Sequence, residues 1–374
     1  MKKSFLLIPI FCISSFICSA QIIKIKLSDG DTLTGKLFLP TQDEIKELII
    51  LIPGTGPNTY MNHRKFGNYD FNYVDLFAEQ FNKRGIALFT YNRRGVDLGE
   101  DAPYFDKIDR EKYKKYLPVT EAIDIETVIK KLKKNKQLKK APIILYGISE
   151  GTMIASIVAD RQKVNINGLF LQGYAHDNLS DIIKWQFSGA SSIINLKSFF
   201  DKNNDNIFTR EEYTDTSKIA TYGRQQILRN ARFDDLDLDK DGVISQKDFG
   251  LLNHTTYEKL LSAITNNDDE YIWNNYFRVT SAWLKEHFAL ETNKTRLPRL
   301  NIPIYIFHGD SDANTPVEKV YEIKNEFERL HKENLHVFIF KGHNHDLNYM
   351  NYIYYKQIPE GLQKIFDTAE ALKK

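Results

Sequence analysis

Short apolar runs recur along this chain, bounded by turn residues and separated by segments with helical spacing. Residues 48–52, 86–91, 143–146 and 169–171 have the composition of strands buried on both faces. Between them, 73–83 and 120–134 repeat apolar positions at helical intervals. Upstream, the runs 22–27 and 32–38 flank Ser28-Asp29-Gly30-Asp31 and predict a β-hairpin. The alternation stops near Tyr174. It resumes with a strand over 302–307, a helix over 317–330, a strand over 335–340 and a helix over 362–372. Strand–helix alternation predicts a mostly parallel sheet with helices on both faces. The stretch between is different: helical in pattern, rich in Asp and Asn, and holding all three tryptophans, Trp185, Trp273 and Trp283. It reads as an insertion. The body is then 21–175 with 298–374, and 176–297 is a helical cap.

The first twenty residues follow another pattern. Lys2 and Lys3 precede an apolar run over 5–17 and the small-residue end Cys18-Ser19-Ala20, the layout of a signal peptide cut before Gln21. The run is too short for a full bilayer span, and Ile17 stands where lipoprotein processing needs a small residue. A secreted or periplasmic product with no stable membrane anchor is expected. Both cysteines, Cys12 and Cys18, fall in this leader, so the mature chain would have no disulfide and no thiol chemistry. The net charge of +2 counts Lys2 and Lys3 and vanishes without them. Charge therefore gives no case for a nucleic-acid partner.

The run 143–146 ends in Gly147-Ile148-Ser149-Glu150-Gly151, and a helix-compatible segment over 152–159 follows at once. Gly-x-Ser-x-Gly between a buried strand and a helix is the sequence of a nucleophile elbow. The serine takes a strained backbone geometry in which flanking side chains would clash, so glycine stands on either side. The helix N-terminus then points at whatever charge develops there. Downstream, the strand ending at Phe307 runs into His308-Gly309-Asp310-Ser311-Asp312. The strand ending at Phe340 runs into Lys341-Gly342-His343-Asn344-His345-Asp346. An acid and then a histidine complete a Ser…Asp…His order. The imidazole would take the serine proton, and the carboxylate would fix its tautomer. Asp310 and Asp312 are both candidate acids, and His343 and His345 candidate bases.

Over about 21–175 and 297–374 these features resemble the α/β-hydrolase fold. His308-Gly309-x-x-Asp312 is similar to that family's acid loop and Gly342-x-Asn344-His345 to its terminal histidine loop. The resemblance implies Asp312 and His345, with Asp310 and His343 as rivals. It also implies an oxyanion hole after the run 48–52, where Pro53-Gly54-Thr55-Gly56-Pro57 follows. Glycine lets that backbone approach a ligand, so the Thr55 amide would pair with that of Glu150. Gly-Thr-Gly-Pro together with Gly-x-Ser-Glu-Gly looks most like a bacterial esterase branch. Tyr91-Asn92-Arg93-Arg94-Gly95 is similar to that branch's strand-end Asp-x-Arg-Gly, with Asn92 in place of the aspartate.

The cap carries two twelve-residue acidic loops. The first, 201–212, offers oxygens from Asp201, Asn203, Asp205, the Ile207 carbonyl, Thr209 and Glu212. The second, 237–248, offers Asp237, Asp239, Asp241, the Val243 carbonyl, Ser245 and Asp248. Alternate residues of a tight loop point oxygens inward, as Ca²⁺ requires. Gly242, and Asn206 in the other loop, suit the sharp turn at the sixth position. The pattern resembles a paired EF-hand, which implies two calcium ions ordering the cap and a short β-bridge between Phe208 and Ile244. Asp248 is one methylene shorter than the usual glutamate.

The combined expectation is a serine hydrolase that cleaves a small-molecule carboxylic ester through an acyl-enzyme and binds calcium in its cap. A peptidase or amidase of the same fold, acting on a short peptide or amide, is the neighbouring alternative. A calcium-dependent binding protein with an inert hydrolase body is an alternative of another class. The retained Ser149, Asp312 and His345 argue against it.

Overall fold

Eight strands form one sheet: β1 (Ser19–Lys26), β2 (Thr32–Leu39), β3 (Glu47–Ile52), β4 (Ile86–Tyr91), β5 (Ile143–Ile148), β6 (Gly168–Gln172), β7 (Ile304–Gly309) and β8 (Leu335–Phe340). Their order is β1-β2-β4-β3-β5-β6-β7-β8. Only β2 runs against its neighbours, and the six strands from β4 to β8 are mutually parallel. This computed structural model describes residues 19–42 and 44–372. The expected leader through residue 18, with both cysteines, lies outside the described residues. Strand β1 starts at its last two positions, Ser19 and Ala20.

Both faces of the sheet are covered, so its central strands read as unbroken apolar runs rather than alternating ones. Successive residues of β5 serve opposite cores. Ile143 and Leu145 pack with the helices Pro118–Leu132, Glu150–Arg161 and Glu318–Arg329. Ile144, Tyr146 and Ile148 pack with Tyr73–Lys83 and Glu360–Ala371. Phe77, fully buried, meets Tyr146 and Phe366 edge-on. Removing such a ring costs about 3–5 kcal/mol, which fixes both helices on the sheet.

Between β6 and β7 the chain leaves the sheet and builds helices from Leu179 to Arg299. They hold two apolar clusters. One, around Phe200, Phe208, Tyr213, Phe233 and Ile244, is the core of the acidic-loop pair. There the loops join through a two-residue antiparallel bridge, Phe208 opposite Ile244 and Thr209 opposite Val243. In the other, Trp283, Leu284 and Ile183 pack on Tyr113 and Tyr116 of the body. The helix Gln246–Asn266 lies against the turn at Gly189. With φ at +95°, a Cβ on Gly189 would fall 2.1 Å from the Gln246 carbonyl oxygen, so only glycine allows the approach.

Two small hairpins, His63–Phe66 with Tyr69–Asn72 and Val96–Leu98 with Asp106–Ile108, carry no apolar period and were not expected. Among the described residues no helix is long and apolar enough to cross a membrane.

Candidate active site

Strand β5 is buried throughout and is followed at once by Ser149, whose backbone is held at φ 56°, ψ −120°. A positive φ on a non-glycine residue costs on the order of 1–3 kcal/mol and persists only where its surroundings enforce it. Here the Ser149 amide donates to the Gln172 carbonyl at 2.9 Å, and its own carbonyl accepts from the Thr152 amide at 2.9 Å and hydroxyl at 2.7 Å. The flanking glycines are steric necessities. A Cβ at Gly147 would sit 2.2 Å from the Gly151 carbonyl oxygen, and one at Gly151 would sit 2.2 Å from that of Ile52. The helix Glu150–Arg161 starts directly behind the serine, so its positive end faces the hydroxyl.

Asp312, 1% exposed, lies in the loop after β7. Its Oδ1 accepts from the amides of Asn314 (2.8 Å) and Thr315 (3.0 Å), and its Oδ2 from the Thr315 hydroxyl (2.9 Å). The same Oδ2 accepts from His345 Nδ1–H at 2.7 Å. Burial pushes the Asp312 carboxyl up, but the charge and hydrogen bond of His345 and the Thr315 amide outweigh it and hold it at about 2. Burial likewise disfavours the His345 imidazolium, and Asp312 reverses that, so the ring titrates above its ordinary value. The other ring nitrogen, His345 Nε2, is buried with no hydrogen-bond partner among the described residues. His345 and Ser149 line the same cavity.

The rival residues stand elsewhere. Asp310 is exposed and accepts from the Gly342 amide (2.7 Å) and the Ser311 hydroxyl (3.0 Å), clamping one loop to the other. His343 faces Lys341 O through Nδ1 (3.1 Å) and accepts from the Gly361 amide through Nε2 (3.4 Å). Two further residues support the pair, and of these only Gly173 carries no sequence signal. His308, fully buried, accepts from the Tyr174 amide (3.1 Å) and donates to the Thr315 carbonyl (3.1 Å), bracing the acid loop. Gly173, at φ +58°, backs directly onto the His345 ring.

Thr55 and Glu150 line the cavity with Ser149 and His345. Neither backbone amide has an acceptor among the described residues. Gly54 runs so close that a Cβ there would meet Ser149 Cβ at 3.2 Å. The cavity measures about 230 Å³, and the insertion supplies much of its wall through Leu179, Ile182, Gln186, Tyr276 and Phe277. Asn92, in place of the expected aspartate, accepts from the Tyr60 amide at 2.8 Å, which ties β4 to the segment after the glycine-rich loop.

In the second acidic loop, oxygens of Asp237, Asp239 and Asp248 lie within 4.8 Å of one another. Asp248 is fully buried and receives the Leu238, Asp239 and Ser245 amides and the Ser245 hydroxyl. Asp237 accepts from Gly242 N through Oδ2, while its Oδ1 is buried without a partner among the described residues. Clustered carboxylates with an orphaned oxygen fit a cation. Asp241 stands outside this cluster and caps the Val243 amide instead. The first loop gathers no such carboxylate group among the described residues. There Asp201 receives the Asp205 and Asn206 amides, Asn203 and Asp205 bond each other, and Glu212 receives Lys202 N, Thr209 N and the Thr209 hydroxyl. Both loops place their fourth and sixth residues at positive φ: Asn204 and Asn206 in one, Lys240 and Gly242 in the other.

No protein-family model matches the chain, and no curated protein sequence matches it. Solved structures do. The α/β-hydrolase GrgF from Penicillium sp. sh18 is 15% identical with a TM-score of 0.50, over 94% of this chain and 96% of that one. A thermostable carboxyl esterase from Bacillus coagulans is 15% identical with a TM-score of 0.53, over 94% and 97%. An acylaminoacyl peptidase from Pyrococcus horikoshii is 13% identical with a TM-score of 0.51, over 94% of this chain but 41% of that one. Likeness at this identity is likeness of fold: the chain has the α/β-hydrolase fold, a mostly parallel eight-stranded sheet flanked by helices.

Proposed function

We propose that this protein is a secreted or periplasmic serine hydrolase that cleaves small-molecule carboxylic esters through an acyl-enzyme. The observation that carries the reading is His345, which lines one cavity with Ser149, is bonded through Nδ1 to buried Asp312, and has an Nε2 with no partner among the described residues. Ser149 Oγ attacks the ester carbon as His345 Nε2 takes its proton, and Asp312 stabilises the imidazolium. The amides of Thr55 and Glu150 hold the tetrahedral oxyanion. Collapse breaks the ester C–O bond, and the departing alkoxide takes the proton from His345. Water then repeats the sequence on the acyl-enzyme, freeing the acid and restoring Ser149.

An amide would follow the same steps. The ester reading is favoured because the fold-mates matched over nearly their whole length include a carboxyl esterase, whereas the peptidase is matched over 41% of its chain. Turnover of p-nitrophenyl esters with aminoacyl anilides left intact supports it, and the reverse ranking overturns it.

The cap is proposed to bind calcium. Asp237, Asp239, Asp248 and the Val243 carbonyl, with Asp241 and Ser245, would hold one ion. Asp201, Asn203, Asp205, Thr209, Glu212 and the Ile207 carbonyl would hold a second. A bound cation would supply positive charge that neutralises the loop carboxylates, which are clustered at Asp237, Asp239 and Asp248. The role is structural, ordering the cap that walls the cavity.

A further inference from the structure

Arg93 follows β4 with a side chain only 1% exposed. Burying a guanidinium costs several kcal/mol unless every N–H finds a partner. Its partners converge on one turn. Nη1 donates to the carbonyls of Gly54 (2.6 Å) and Gly56 (2.8 Å), and Nη2 donates to that of Pro53 (3.0 Å). Nε donates to Glu121 at 3.0 Å, Nη2 also lies 3.3 Å from Glu150, and the plane stacks over Tyr116 at 4.3 Å.

The peptide unit makes this informative. A trans peptide is planar, with its C=O and N–H pointing in opposite directions. The Gly54 carbonyl and the Thr55 N–H belong to one such plane. Arg93 holds the carbonyl end, helped by Asn58 Nδ2 at 2.9 Å, so the Thr55 N–H is turned the other way. Thr55 lines the cavity with Ser149.

The second donor residue is tied to the same group. The Glu150 carboxylate accepts from Trp283 Nε1 (3.1 Å), His287 Nε2 (2.9 Å) and the Tyr116 hydroxyl (2.5 Å), besides facing Arg93. Trp283 and His287, both fully buried, sit on the cap helix Ser281–Ala289. The cap is thereby plugged into the residue whose amide follows the nucleophile.

Resting on the serine-hydrolase reading, we infer that Arg93 is a positioning residue: it sets the direction of the Thr55 amide and, through Glu150, couples both oxyanion donors to the cap. Lysine carries the charge but only a single point of attachment, so it cannot hold three carbonyls and a carboxylate together.

The test is Arg93→Lys in the full chain, with reactive serine counted by exhaustive fluorophosphonate titration. Per titrated site, kcat on a p-nitrophenyl ester falls about 10²–10³-fold, the effect of losing an oxyanion donor. KM stays within about threefold, and an aryl boronic acid, which forms a tetrahedral adduct on serine, binds weaker by the same factor as kcat. A role in stability alone would lower the titrated fraction and the melting temperature and leave kcat per site and boronate affinity unchanged. Should Arg93→Lys not fold, Asn58→Ala and His287→Gln carry the test through the same two readouts. Asn58→Ala acts on the same carbonyl, so its loss and that of Arg93→Lys are less than additive. Variants that match wild type in kcat per site and boronate affinity overturn the inference while leaving the hydrolase reading intact. A wild-type protein that neither labels nor turns over ester overturns the hydrolase reading and the inference with it.

Discussion

Replacing Gly173 by alanine places a methyl group against the ring proposed as the general base. The added Cβ would lie 2.6 Å from His345 Cε1, 2.8 Å from Nδ1 and 3.2 Å from Nε2. Carbon pairs are comfortable at about 3.5–4.0 Å, so the ring or the strand end must retreat by about 1 Å. The ring is not free to do so, because Asp312 holds Nδ1 at 2.7 Å. A misplacement of about 1 Å at a reacting group costs about 10²-fold in rate, or ~2.7 kcal/mol of barrier. Separately, the φ of +58° adds about 1–2 kcal/mol of backbone cost for an L side chain. Two assays separate the two effects. Ester hydrolysis reports the first as a drop in kcat of about two orders of magnitude, and thermal unfolding reports the second as a melting point lower by a few degrees. A variant that melts lower yet keeps wild-type kcat would refute the displacement of a catalytic His345 ring on which this prediction rests.

Asp312→Asn keeps the acceptor for the Asn314 and Thr315 amides but offers an N–H toward His345, favouring the wrong tautomer; kcat should fall about 10⁴-fold with folding retained. His345 must be neutral to accept the serine proton, and Asp312 raises its pKa. The rate per enzyme should therefore rise with pH through a single ionisation above the ordinary imidazole value, and Asp312→Asn should move that limb to lower pH. Calcium at ten times its dissociation constant should stabilise the protein by about 1.4 kcal/mol for each site filled; a chelator should reverse the rise in melting temperature, and Asp248→Ala should weaken it.

The parts of this molecule that the sequence made legible are those where local backbone geometry dictates residue type. Gly147 and Gly151 flank Ser149 because any Cβ there would strike a carbonyl oxygen. The helix Tyr73–Lys83 and the strands Ile86–Tyr91 and Leu335–Phe340 coincide with their apolar runs, since each is an uninterrupted element packed on the sheet. The His308-Gly309-x-x-Asp312 spacing favours Asp312 over Asp310 without giving the physical reason. The two stand two positions apart, and what separates them is a turn that gives Asp310 the Gly342 amide and Asp312 the Thr315 amide. The Arg93 network was hidden for a different reason. Its members come from 53–56, 121 and 150, distant in sequence and joined by the sheet, with 283 and 287 added where the insertion folds back on the body. Gly173 carries no pattern at all, because the ring that requires it arrives from the far end of the chain.

The most direct test of the account is the site of covalent labelling. Incubated with a fluorophosphonate and digested, the protein should yield one adduct, on the peptide containing Ser149, in step with loss of p-nitrophenyl ester hydrolysis. Ser149→Ala should show neither label nor turnover. Hydrolysis that survives in Ser149→Ala, or a label resting on another residue while activity is lost, would contradict it.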